Sequence, residues 1–167
     1  MTTTSFTDKI IEPVALSGID GIISAGGALL GLSASQLQSK KVVFAMLVIL
    51  IADGSSMAAS YFNMKTSSTE DGISWELVGL SLVNMVAFIA FGGIPVAVYI
   101  ATLKIAGKTS TLLAFLSIVT TLAFLGVVQW QITGQLRLTY TTPLVGSLAG
   151  ILAFFVAPHF EKITDSF

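Results

Sequence analysis

Residues 42–64 read VVFAMLVILIADGSSMAASYFNM, with Asp53 as the one charge in the run. Coiled as a helix at 1.5 Å per residue, such a run is about 35 Å long and crosses the ~30 Å hydrocarbon core of a bilayer. Its apolar residues are continuous and do not alternate, which favours a helix over a barrel strand. Working outward, four further apolar runs cover residues 13–34, 75–103, 109–132 and 142–158. The run at 75–103 is long enough to span with tilt or a break. It contains Gly92-Gly93-Ile94-Pro95, a group expected to kink or locally unwind its helix. The connections 35–41, 65–74, 104–108 and 133–141 are short and carry most of the charge. None houses a soluble domain, and no internal repeat is visible.

Composition agrees. The chain is 54% hydrophobic with a mean hydropathy of +0.89. Only 10% is charged, against roughly 25% in soluble domains. A chain this size has no soluble core able to absorb that much apolar surface. The expectation is an all-α integral membrane protein, multi-pass, with residues 1–167 as a single domain of five transmembrane helices in a lipid bilayer. Residues 1–9 are polar and lack the basic start of a cleaved signal peptide, so the first span is expected to act as its own insertion signal. The net charge of −1 gives no basic footprint for nucleic acid. Cysteine is absent and His159 is the single histidine. Disulfides, thiolate sites and multi-histidine metal sites within one chain are thereby excluded. No nucleophile–base constellation or cofactor motif is visible, so neither an enzyme nor a resident cofactor is expected.

Asp20 and Asp53 both fall inside spans, and each is followed by glycine. A carboxylate in hydrocarbon costs several kcal/mol or becomes neutral, so it persists where it faces a protein interior or a wet path. On a helical wheel with Met46 at zero, Asp53 falls at about −20°, Met57 at about +20° and Met64 back at about zero. One stripe thus carries three of the five methionines and the acid. Asp53 and Met57 are i,i+4 neighbours able to touch one ion. A hard carboxylate with a soft thioether suits a borderline divalent cation held weakly, as transport requires. Burial favours the protonated form of a carboxylate, and metal binding expels protons, which is the physical core of proton–metal exchange. The bland readings stand beside this one. Methionine is a common gap-filler in apolar helices, and an intramembrane Asp can be a structural hydrogen-bonding residue. Asn84 is equally an interhelical partner or a ligand. Glu12 and Glu76 lie near span ends, Glu70 and Asp71 in a loop, and Trp75 and Trp130 read as interfacial anchors.

Gly27 and Gly31 form one GxxxG pair, Gly146 and Gly150 another. Such spacing lets helix backbones approach closely, within a subunit or between subunits. Five short spans leave little bulk around a polar pathway, so a homodimer with the pathway on its two-fold axis is expected.

Gly18-Ile19-Asp20-Gly21, followed by Ala52-Asp53-Gly54-Ser55-Ser56-Met57 and Tyr61, resembles the vacuolar iron transporter family. Gly92-Gly93-Ile94-Pro95 is similar to that family's break in the third span. Gly126, Thr133-Gly134, Gly146 and Ala149 match its last two spans in character. The likeness runs from about Ile10 to Phe160. It implies a five-span homodimer, in a vacuolar or other organellar membrane, that exchanges ferrous iron or similar divalent ions for protons. It also implies that the first spans of two subunits line the path and that Asp20 and Met57 are transport residues.

Three departures matter. The family's acid in the second span falls at Ile49, with Asp53 one turn further on. The Met57-to-Tyr61 spacing is one residue shorter than in the family. The Glu-rich metal-binding insertion of plant and fungal-type members is absent, since that connection is residues 65–74 alone. The resemblance also implies a cytosolic N-terminus. A count of basic residues leans the other way, with Lys40, Lys41, Lys104, Lys108 and Lys162 on one side against Lys9, Lys65 and Arg137 on the other.

The expected function is divalent metal transport, ferrous iron first and manganese second, coupled to proton antiport. Asp20, Asp53 and Met57 form the site, and Met46 and Met64 extend it. The rival readings are a non-transporting membrane scaffold dimerising through its glycine faces and a proton or monovalent-cation channel.

Overall fold

A computed structural model describes residues 6–35, 37–68, 74–106 and 109–164. Glu70, Asp71 and Lys108 lie outside the described residues, as do the side chains of Lys9, Glu12 and Lys162. Five helices follow in order: α1 (Phe6–Ala34), α2 (Ser39–Ser68), α3 (Trp75–Ala106), α4 (Thr109–Thr133) and α5 (Leu138–Thr164). Each contains a stretch long and apolar enough to cross a membrane. A helix satisfies its own backbone groups, the requirement that hydrocarbon imposes.

The ends carry recognisable caps. The Ser74 hydroxyl accepts the Leu77 N–H at 3.1 Å, an N-cap that starts α3. Gly134, at φ 71°, is the left-handed residue that ends α4, and its N–H donates to the Trp130 carbonyl at 2.8 Å. Within the spans, hydroxyls mostly donate to a carbonyl one turn back, as Ser81 does to Leu77 and Thr121 to Ser117. That bond removes most of the cost of a hydroxyl in hydrocarbon.

The helices form an open arc around α1. Helix α1 packs against all four others, while the arc itself runs α2–α3–α4–α5. Among the described residues α2 and α5 do not touch, which leaves one gap in the wall. The burial of the spans follows: 56% of the residues in the most apolar part of α1 are buried, and 11% in α5. Two buried clusters fill the interior. One joins Ala25 and Leu29 to Met46, Phe88, Val96 and Tyr99, and the other joins Ile22 and Leu30 to Ile118, Leu122 and Leu125.

The α1–α3 contact is backbone on backbone. A Cβ placed on Gly21 would run into the Phe88 carbonyl oxygen, and one on Gly92 would lie 2.7 Å from the Gly21 carbonyl oxygen. The local unwinding expected at Gly92-Gly93-Ile94-Pro95 does not occur, and α3 is helical without interruption. Pro95 forfeits one i→i−4 bond, and the tight seat of Gly92 against α1 fixes the turn beside it. The helices are also longer than their apolar runs: α5 begins at Leu138, one turn before the expected residue 142.

The GxxxG pairs are used inside the chain. Gly31 faces Ala153 and Ala157 of α5, and Gly150 faces Leu30 of α1.

Gly92 and Gly93 are adjacent and stand in opposite circumstances, since nothing lies within 4 Å of a Cβ on Gly93. Gly92→Ala should destabilise the purified protein by about 1–3 kcal/mol through overpacking. Gly93→Ala should be neutral or stabilise by up to about 1 kcal/mol through helix propensity. Thermal unfolding in detergent, followed by intrinsic fluorescence, compares the two. Equal midpoints would contradict the close α1–α3 approach.

Candidate functional site

The gap between α2 and α5 uncovers one stripe of α1. Leu16 is exposed, and Asp20, Ser24, Gly27 and Ala28 are half-buried at spacings of three and four residues, which share a helix face. Where Gly27, Ala28 and Gly31 meet Ile49 of α2 and Ala153 and Ala157 of α5, the gap forms an apolar groove of about 650 Å³. Asp20 lies two helical turns before Gly27 along this stripe.

Helix α2 supplies the facing row. Ile49 lines the groove, and Asp53 and Met57 follow at i+4 and i+8, both half-buried. The charge of Asp53 acts on Asp20, so the two carboxylates stand within electrostatic reach across the α1–α2 boundary. Among the described residues neither carboxylate is held by a hydrogen bond or ion pair. Met57 packs its stem against the α1–α2–α3 core while remaining half-exposed.

The methionine stripe separates into three environments. Met46 is fully buried, 0% exposed, among Leu50, Phe88, Val96 and Tyr99. Met57 is half-buried beside Asp53, and Met64 is 57% exposed near the end of α2. The physical reason is the slant of helix contacts. Buried positions on α2 are Val42, Met46, Leu50 and Gly54, an i,i+4 ridge inclined to the helix axis. A row that is straight on a helical wheel starts on that ridge at Met46 and has left it by Asp53. Met46 thus serves the core, while Asp53 and Met57 emerge at the edge of the α2–α3 contact, facing the gap.

Other residues of interest divide similarly. Tyr61 is half-buried, with the Lys65 ammonium over its ring at 5.7 Å, a cation–π contact at the end of the same helix. Glu76 is exposed in the first turn of α3, and Trp75 is exposed at its start, as an interfacial anchor requires. Asn84 is 2% exposed, and its carbonyl oxygen has no hydrogen-bond partner. Ser17 on α1 is fully buried and its hydroxyl is likewise unpartnered. Gly21 seats between Phe88 and Gly92. Ser17 lies one turn before Gly21, and Asn84 one turn before Phe88, so the two occupy facing turns of neighbouring helices. Ser17 was not marked by sequence reasoning. Its signal was its i−3 relation to Asp20, which places it on the acid's side of α1. Met85 of α3 was also passed over. Its sulfur is 3.9 Å from the Ser55 hydroxyl and its stem meets Gly54.

No known family model, curated protein or solved structure matches this chain. Among the described residues no three His, Cys, Asp or Glu side chains cluster as a metal site. A cation at Asp20 and Asp53 must draw further ligands from sulfur, backbone, water or a second copy.

The two outer methionines offer a direct check. Met46→Ala should cost about 2–5 kcal/mol of stability, as large-to-small changes in a packed core do. Met64→Ala should stay within about 0.5 kcal/mol, as exposed substitutions do. Denaturation of the two variants in the same detergent separates core from surface. A Met46→Ala variant as stable as the parent would return Met46 to the list of candidate ligands.

Proposed function

We propose that this chain carries divalent metal ions, ferrous iron first and manganese second, across a membrane in exchange for protons. The observation that carries the reading is the uncovered α1 stripe. It holds Asp20 within the first span, within reach of the Asp53 charge and, among the described residues, with neither carboxylate hydrogen-bonded or ion-paired. A half-exposed acid facing lipid tails is not tolerated, so the gap must be covered by polar matter. A second copy related by a two-fold axis supplies that cover and brings a second set of acids to the same path. The resemblance to vacuolar iron transporters supports the same arrangement and points to an organellar membrane. Asp20 and Asp53 then bind metal and protons alternately. Met57 provides the soft ligand that favours ferrous iron over magnesium or calcium. Asp53 stands one turn from Ile49 on the same gap-facing row, so it replaces the acid that the family carries at the Ile49 position. With only residues 65–74 between α2 and α3, ions are collected at the path itself and not by a separate domain. A scaffold dimerising through its glycine faces is less well supported, because Gly31 and Gly150 already face helices of their own chain.

The test is ferrous uptake into proteoliposomes driven by a pH gradient. Asp20→Asn and Asp53→Asn should each reduce uptake by about tenfold or more, since even indirect metal-site partners contribute that much. Met57→Ala should weaken ferrous uptake more than manganese uptake, because iron gains more from sulfur. Uptake should vanish when the gradient is collapsed. Equal transport by parent and all three variants would remove the site, and metal-independent current would favour the channel reading.

A further inference from the structure

A second cavity lies away from the acids, between α1, α3, α4 and α5. It encloses about 710 Å³, within the ~300–1,000 Å³ range of small-ligand sites. Its walls are apolar, built by Leu30, Leu103, Leu112, Phe115, Ile151 and Phe154. One end is polar: Ser33, Ser39, Tyr99 and Thr111 also line it. That end sits where α1 and α3 finish and where α2 and α4 begin, so it lies at one face of the membrane.

Two observations there point to an anion. Lys40 and Lys41 directly follow Ser39, Lys104 directly follows Leu103, and all three lysines are exposed. Helix α4 starts at Thr109, presenting its positive dipole end at this level. Tyr99, 5% exposed, also lines this end, and Ser110, fully buried in the first turn of α4 with an unpartnered hydroxyl, directly precedes the lining residue Thr111.

We propose that an anionic phospholipid occupies this cavity. One acyl chain fills the apolar part between α4 and α5, and the phosphate sits at the lysine-bearing mouth against the start of α4. The apolar walls exclude a free phosphate as the natural occupant, because it leaves them unfilled. The lysines select an anionic headgroup over a zwitterionic one, because each basic residue near a membrane surface adds about 1 kcal/mol toward anionic lipid. The site stands apart from Asp20 and Asp53 and does not depend on what the chain transports.

Native mass spectrometry of the full chain in mild detergent tests this, with phosphatidylglycerol, phosphatidylcholine or inorganic phosphate added at equal concentration. The expected result is one retained phosphatidylglycerol per chain, held about fivefold or more over phosphatidylcholine. The triple variant Lys40→Gln, Lys41→Gln, Lys104→Gln changes exposed side chains only. It should still retain lipid but lose the preference. Thr111→Trp, which fills the cavity, should lose both lipids while helical content by circular dichroism stays unchanged. Three results would each overturn the proposal: equal retention of the two lipids by the parent, an undiminished preference in the triple variant, or displacement of phosphatidylglycerol by inorganic phosphate.

Discussion

The structure hangs on the backbone contact between Gly21 and Gly92. Without side chains at these positions α1 and α3 approach closely enough for carbonyl oxygens to occupy the space a Cβ would need. That closeness seats α1 at the centre and lets α4 and α5 close over it from the other side. Asp20 directly precedes Gly21, so its side chain is rotated by roughly 100° from the α3 contact. The residue that docks the helix and the residue that carries the charge are therefore coupled through one peptide unit. Gly21 faces α3, and Asp20 lies on the stripe that the arc leaves uncovered.

Much of the architecture was legible in the sequence. Long uncharged runs with polar joints dictate helices that cross a membrane, and the runs at 42–64 and 109–132 fall within α2 and α4 as read. The position of each helix in the bundle was not legible. In a soluble protein the buried face announces itself by periodicity, but here lipid and protein are equally apolar and every face reads alike. The central place of α1 was hinted at only by its glycines, at Gly18, Gly21, Gly26 and Gly31, all buried. For the acids a rule exists, since a charge at membrane depth is expected to face something other than lipid, and Asp20 and Asp53 do come within electrostatic reach of each other. The methionines could not. A wheel projects the helix onto a circle and discards the slant of the packing ridge, so Met46 and Asp53 share an azimuth but not an environment. Gly92 and Pro95 pointed to a kink or local unwinding, and of these the unwinding is absent, since α3 is helical without interruption. Both are residues that weaken a helix in isolation, and tertiary contact overrides that tendency.

Polar groups in the spans fall into two kinds. Most hydroxyls, such as Ser55, Thr66, Ser81 and Thr120, bond to their own helix and ask nothing of their neighbours. Among the described residues Asp20, Asp53, Ser17, Asn84, Ser110 and Thr139 do not. Asp20 and Asp53 stand at the gap, Ser17 and Asn84 on the buried seam of α1 and α3, Ser110 at the start of α4 and Thr139 at the start of α5. In a medium without water, unbonded oxygen marks where something else belongs, and that criterion separates structural from functional polarity more sharply than residue type does.

The open arc has a mechanical consequence. Helix α2 is secured along one edge, by its ridge against α3, while its contact with α1 is the lightest in the bundle and α5 does not reach it. With α3 as its one firm support, at the Gly54–Ile89 seat, α2 is the helix whose placement the rest of the bundle constrains least. The distance between the two carboxylates is therefore set by how α2 seats on α3, at the same small residue that lets the helix lie against its support.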